Sequence, residues 1–202
     1  MPIIPQVMTG LMAVKAASNL MSGSKLPAIE ASVSYAACQY ILTSAIVNST
    51  NVAIGPGSGI QTGKIIGLIP YIMSKSMLLK AASKGLSGKD LGRFFSAISF
   101  GVVNGLNTAV LQGVIIGAGP GTGTGKITGL IPSALQGIIL AQEAFRAISG
   151  SQARALAGCI AFGICIHIMT FGLMTITDIG VAAPPPVGPI PLPAVPGFGK
   201  LI

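Results

Sequence analysis

The sequence predicts a mainly α-helical fold of three tandem helical-hairpin repeats, which glycine-rich loops connect in a pseudo-threefold arrangement. Three observations lead to this prediction: a repeated sequence pattern, long uncharged apolar segments, and glycine clusters between them. Each copy of the pattern starts with isoleucine and proline, and the copies begin at Ile4, Ile69 and Ile131. Units of this size bury their apolar faces against their neighbours, so the pattern favours a scaffold with internal symmetry.

The repeat divides the chain into three units within a single domain of residues 1–202. A second shared element, threonine-glycine-lysine, ends at Lys64 and again at Lys126, and glycine and lysine recur at Lys200. The N-terminus lacks the basic region of a signal peptide and already belongs to the first unit, so we expect the mature chain to keep it. The predicted units are residues 4–68, 69–130 and 131–202.

The first helix of each unit is predicted to open after the proline, a residue favoured in the first helical turn. Lysines and apolar residues alternate at helical spacing after Pro70, which indicates an amphipathic helix with one polar face. Each helix is expected to stop at a serine-glycine pair. The predicted helices are Gln6–Met21, Tyr71–Leu86 and Ser133–Ile148.

The second segment of each unit is uncharged: Ala31–Gly63, Phe94–Gly125 and Ala155–Thr177 contain no Asp, Glu, Lys or Arg. Such segments reach the length of a membrane span, about 20 residues. We predict helices here, and a β-strand remains an alternative over Val33–Val47, where β-branched and aromatic residues are common. The chain has no tryptophan and 5% aromatic residues, which favours burial by protein over an interface with lipid.

The composition requires a covering for this chain. Apolar residues make up 51% and charged residues 8%, against about 25% charged residues in ordinary soluble proteins. Other protein subunits or membrane lipid must therefore face much of the surface. The net charge of +8 is spread along the chain without a basic cluster, so specific nucleic-acid recognition is not expected.

No catalytic, metal or cofactor site is predicted, and the chain is not expected to be an enzyme. The three cysteines form no ligand or disulfide pattern. Cys165 and His167 are two residues apart, which does not bring them face to face on a helix. His167 is therefore expected to be a packed or hydrogen-bonded core residue.

The glycine cluster before Lys126 invites comparison with a phosphate-binding loop. Such a loop needs successive backbone N–H groups and a serine or threonine directly after its lysine. Here Pro120 removes an N–H group and Ile127 follows the lysine, so nucleotide binding is not favoured. The glycines are instead expected to provide permissive backbone in loops that pack against one another.

Two features are predicted to make interactions. Lys64, Lys126 and Lys200 occupy equivalent places, and around a pseudo-axis they would line a pore, bind an anion or meet the carboxylates of a partner. The proline-rich segment 182–199 is predicted to run as an extended strap that docks on another surface, with a disordered tail as the alternative. The prolines singled out for this docking are Pro184, Pro185 and Pro186.

In its small size, apolar helices and glycine-rich Thr-Gly-Lys elements, the chain resembles the short hydrophobic structural proteins of tailed-phage virions. The resemblance is greatest to those at the baseplate hub or tail tip of contractile tails. It implies a pseudo-threefold adaptor or plug among the subunits of a trimeric or hexameric assembly, made in the host cytoplasm and located in the virion. It also suggests contact with tape-measure helices or the host membrane during delivery.

One alternative remains from the sequence: an integral membrane protein of three helical hairpins. It would act as a pore or as the membrane subunit of a larger complex. The uncharged second segments support it, and the missing aromatic belts speak against it.

Overall fold

A computed structural model describes residues 3–55, 58–116, 122–178 and 195–201. Within these ranges, two helices are followed by two strands, and this order occurs three times. The mainly helical prediction is confirmed, whereas the strands were not predicted. The helices are α1 (Pro5–Ser18), α2 (Leu26–Ser44), α3 (Pro70–Ser83), α4 (Leu91–Asn107), α5 (Pro132–Phe145) and α6 (Ala153–Phe171). The strands are β1 (Ile46–Gly55), β2 (Ser58–Ile66), β3 (Val110–Ile116), β4 (Thr122–Thr128), β5 (Leu173–Asp178) and β6 (Val195–Leu201).

Helices α1, α3 and α5 begin at the prolines, one residue before the predicted starts, and end three residues before the predicted ends. They end early because residue 20, 85 or 147 takes a left-handed backbone, with φ of 52°, 71° and 53°. The amide of the next residue then bonds back into the last helical turn, as in a Schellman motif. These bonds are Met21 N to Ala16 O, Leu86 N to Ala81 O, and Ile148 N to Glu143 O.

Leu20→Gly is expected to raise the free energy of unfolding by about 1 kcal/mol, because a left-handed backbone costs an L-residue that much. The Leu20 side chain is 90% exposed, so its removal loses little packing. Urea denaturation of the variant measures the gain. Gly85→Ala, at the equivalent turn, is the matched control and should lose a similar amount; an unchanged or lower stability of Leu20→Gly would contradict the prediction.

The second helix of each unit is shorter than predicted. Helix α2 ends at Ser44, α4 at Asn107 and α6 at Phe171, and β1, β3 and β5 begin within three residues of these helix ends. The strand alternative over Val33–Val47 is wrong as far as Ser44 and correct only from Ile46. Where the structure describes the predicted glycine-rich loops, their residues belong to paired strands: Gly59 and Gly63 lie in β2, and Gly123 and Gly125 lie in β4.

The six strands form a closed antiparallel barrel in which β6 pairs back to β1. Side chains along a strand point alternately inward and outward. The inward set is buried in the core, and the outward set is exposed. The inward set includes Val47, Ile65, Leu111 and Ile127; the outward set includes Asn48, Lys64, Gln112 and Lys126.

The proline-rich segment is only partly within the described residues. Residues 195–199 are extended, but they belong to β6, which pairs with both β5 and β1. They are therefore a barrel strand rather than a docking strap, since closing the barrel leaves no unpaired edge at this position. Pro184, Pro185 and Pro186 lie outside the described residues.

The helices form a ring on the barrel. Each helix packs against the next in sequence, and α6 packs against α1. Helices α2, α4 and α6 also contact the barrel, through β6, β2 and β4 respectively. One apolar core contains residues from all six helices together with Val47, Ile65, Leu111 and Ile127 of the strands. The ring and the barrel are therefore packed on one another through a continuous core.

Among the described helices, α6 alone is long and apolar enough to cross a membrane. Half of its 18-residue apolar stretch is buried within the fold. A buried core helix of a soluble protein meets the same criterion. This finding by itself is weak support for a membrane span.

Candidate functional site: ring interfaces and barrel face

Three interfaces of the helix ring share one pairing of a cation with an aromatic ring. Lys80 Nζ lies 4.2 Å from the centroid of the Tyr35 ring. The cation lies in the first helix of a unit, or directly after it in the case of Arg146, and the second helix of the preceding unit carries the ring. Such contacts contribute about 0.5–1 kcal/mol each at exposed sites. The other two are Lys15 on Phe162, at 5.7 Å, and Arg146 on Phe100, at 4.7 Å.

The same interfaces depend on small residues at the position after each ring, where Ala36, Gly101 and Gly163 stand. A β-carbon on Gly101 would lie 2.9 Å from the Cα atom of Ile139. A β-carbon on Gly163 would meet the Met12 side chain, at 2.4 Å from its Cγ atom. Two of the three helix pairs therefore approach more closely than a side chain allows.

Two buried side chains accept hydrogen bonds from the start of a neighbouring helix. The Ile69 N–H, just before α3, donates to the Tyr40 hydroxyl at 2.7 Å. The Ile4 N–H, just before α1, donates to His167 Nε2 at 3.0 Å. These amides are among the helix-start donors that have no partner within their own helix. The prediction that His167 is a packed, hydrogen-bonded core residue is confirmed.

Tyr40→Phe is expected to lower the free energy of unfolding by about 1–2 kcal/mol, because it removes only the acceptor of the Ile69 N–H. The ring itself stays in place, so packing should be unchanged. Chemical denaturation checks the loss, and Tyr35→Phe is the matched control because the described hydrogen bonds do not use its hydroxyl. Equal stability of the two variants would contradict the role of Tyr40.

The position equivalent to Tyr40 and His167 in the second unit is Gly105, which has no side chain to offer. Sequence reasoning missed this set of three. Aligning the repeats places them in one column, but their partners at Ile69 and Ile4 follow only from the packing of the ring. The structure has a cavity of about 200 Å³ beside Gly105.

Two buried carboxyl groups lie in the helix ring, on Glu30 and Glu143, each 2% exposed. Among the residues that the structure describes, neither Glu143 carboxyl oxygen has a hydrogen-bond partner. Burial raises the pKa of Glu143 from 4.5 to about 7 and also raises the pKa of Glu30. Glu143 occupies the repeat position of Ala16 and Ala81, which are both buried. This position therefore holds an uncharged side chain in the other two units.

The cysteines and the histidine are arranged for packing rather than for nucleophilic chemistry. Burial raises the pKa of Cys38 and of Cys165 to about 12, so both stay as thiols at neutral pH. Burial lowers the pKa of His167, which keeps the imidazole neutral and able to accept from Ile4. In the described ranges, no three His, Cys, Asp or Glu side chains are grouped so that they could hold a metal.

Lys64 and Lys126 lie on the outer side of the barrel, on β2 and β4, and both are exposed. Their neighbours Ile65 and Ile127 face the core, so the two lysines point away from the barrel interior and cannot line a pore through it. Binding an anion or a partner's carboxylates remains the prediction for them. The backbone of Lys200 pairs in β6, and its side chain is outside the described part of the structure.

Comparisons with protein-family models, curated proteins and solved structures find no match to this chain. The candidate site is therefore defined by its own geometry: three similar ring interfaces and an exposed barrel face.

Proposed function

We propose that the chain is a non-enzymatic structural subunit, an apolar pseudo-threefold adaptor or plug buried in a larger symmetric assembly. In this proposal the three units are tandem repeats about one pseudo-axis. The assembly is a phage virion, with the chain at the baseplate hub or tail tip. Its partners are subunits of a trimeric or hexameric component.

The observation that carries this proposal is the recurrence of one interface around the ring. A cation lies over an aromatic ring at the contacts of α1 with α6, α3 with α2, and α5 with α4. The order of helices and strands also recurs three times. A chain with such internal symmetry can offer equivalent faces to three equivalent partners, because symmetric assemblies repeat one contact around their axis.

The outer face of the barrel supports partner binding. Ile60 and Val114 are 51% and 57% exposed there, although both are large apolar residues. Ile46, Ile66 and Val110 are exposed on the same barrel. An exposed apolar surface with few charges is typical of a face that a partner covers.

Membrane insertion is the alternative function, and the length and hydropathy of α6 are the observation that favours it. Fractionation separates the two. The adaptor should co-purify in a soluble particle with a trimeric or hexameric partner. If the chain is recovered in the bilayer fraction and resists extraction by carbonate, that result would favour a membrane protein and contradict the adaptor.

The three lysines provide a sharper test on the barrel. Replacing Lys64, Lys126 and Lys200 together with methionine should weaken assembly at least tenfold if they meet carboxylates of the partner, because every 1.4 kcal/mol is a factor of ten in affinity. Lys25→Met, Lys84→Met and Lys89→Met combined, at three exposed lysines outside the barrel, form the control matched for lost charge. Unchanged co-purification and solubility of the triple variant would remove the lysines from the proposed interface.

A further inference from the structure

The cavity lies beside Gly105, at the repeat position where the other two units carry a large ring side chain. The repeat places Tyr40, Gly105 and His167 at one position of the second helix. In two cases a ring side chain reaches the amide that precedes the next proline-started helix. With Gly105 in the third case, the corresponding amide is that of Ile131, just before α5.

The Ile131 N–H has no acceptor among the hydrogen bonds of the described residues. Ile131 itself lines the cavity, together with Gly105, Leu130, Leu135 and Ile138. Thr108, Gly129 and Ala134 complete the lining. The site thus combines mostly apolar walls with the Ile131 backbone donor. A ligand pocket of this kind takes an apolar ring and orients it through a single polar contact.

The size of the cavity suits one aromatic ring. It holds about 200 Å³ and is partly open to the surface. An engineered apolar cavity of about 150 Å³ in another protein is large enough to bind benzene. A phenol or imidazole ring therefore fits the volume, and the open side provides a route for entry.

We propose that this cavity is a binding site for a small aromatic ring that carries a hydrogen-bond acceptor, of the phenol or imidazole class. The ring replaces the side chain that Gly105 lacks, and its oxygen or nitrogen accepts from the Ile131 N–H. The identity of the ring follows from the two side chains in the equivalent places, a phenol at Tyr40 and an imidazole at His167.

The geometry at Gly105 favours a free ring over an attached one. A β-carbon on Gly105 would lie 2.6 Å from Leu135 Cδ1. A covalently attached ring at residue 105 must therefore displace the Leu135 side chain. A ring that enters from the open side needs no β-carbon, so it avoids that contact. The same chemistry can come from a free molecule or from a tyrosine or histidine of a partner.

The test is an NMR titration of the wild-type chain with p-cresol and 4-methylimidazole, with toluene as the probe that lacks an acceptor. The Ile131 amide resonance should shift with both acceptor probes, whereas those of Ile4 and Ile69 should not, since their acceptors are already in place. p-Cresol should bind about fivefold more tightly than toluene, the factor that one net hydrogen bond of about 1 kcal/mol gives.

Two outcomes would overturn the proposal. One is an Ile131 amide resonance whose chemical shift does not change at saturating probe, and the other is equal affinity for toluene and p-cresol. Gly105→Tyr is the blocking variant and should lose p-cresol binding. If that variant does not fold, the change in the Ile131 amide resonance of the wild-type chain still shows whether the probe binds at this cavity. The source is tested separately by adding N-acetyl-tyrosinamide, which mimics a partner's side chain. Its binding at the same amide identifies a partner as a competent source, and its exclusion leaves free small molecules.

Discussion

The free energy of unfolding is expected to fall by about 3 kcal/mol between pH 4.5 and pH 7 because of Glu143, at 1.36 kcal/mol for each unit of pKa shift. Burial raises the pKa of this carboxyl group from 4.5 to about 7. The folded chain therefore holds the proton more tightly than the unfolded chain. The stabilisation is complete below pH 4.5 and is lost as the pH rises to about 7. Urea denaturation across this range measures it.

Glu143→Ala provides the control, since the equivalent residues Ala16 and Ala81 are buried alanines. At pH 8 the variant should be more stable than the wild type, because it no longer buries a charge without a partner. At pH 4.5 the advantage should disappear, since the neutral carboxyl group no longer carries that cost. Parallel pH profiles of the two proteins would contradict the assignment to Glu143.

His167 changes the free energy of unfolding with pH in the opposite direction from Glu143. Burial lowers its pKa, so its contribution is present above pH 6.5 and is lost as the pH falls through the folded value. Protonation also removes the acceptor for the Ile4 N–H, because imidazolium donates from both nitrogens. Glu30, with a pKa that burial raises, acts in the same direction as Glu143. Both contributions remain in Glu143→Ala, so the difference between the wild-type and variant profiles isolates the contribution of Glu143.

Gly101→Ala is expected to lower the free energy of unfolding by about 1–3 kcal/mol, the usual cost of overpacking a core. The added β-carbon would lie 2.9 Å from the Cα atom of Ile139, which is backbone and cannot turn aside. Helices α4 and α5 must separate to admit it. Denaturation with urea at fixed pH measures the loss.

Gly137→Ala is the matched control on α5. Nothing lies within 4 Å of the β-carbon at residue 137, and alanine stabilises a helix interior by about 1 kcal/mol relative to glycine. The two variants should thus change stability in opposite directions. If Gly101→Ala gains stability as Gly137→Ala does, the close approach of α4 and α5 is refuted.

The sequence predicts the first helix of each unit well, because a proline in the first turn fixes where it begins. It does not predict the barrel. Strand β1 pairs with β6 across most of the chain, and such pairing adds nothing to the local periodicity from which strands are recognised. The glycines of β2 and β4 also suggested loops, since glycine weakens an isolated strand.

The ring interfaces were visible only in part. Tyr35, Phe100 and Phe162 occupy equivalent positions in the three copies of the sequence repeat. Their cation partners could not be predicted, because Arg146 replaces the lysine of the other units from a position one helical turn further along. Glu143 also escaped notice, since a carboxyl group near a helix end usually faces solvent.

We propose that this chain occupies the axis of a symmetric assembly and meets equivalent partners with its three units. Cryo-electron microscopy of the particle that co-purifies with the tagged chain tests it most directly. The proposal predicts one copy of the chain on a threefold or sixfold axis, with partner subunits against the barrel face at Lys64 and Lys126. A particle with the chain away from any such axis, or with its helices in a lipid bilayer, would contradict it.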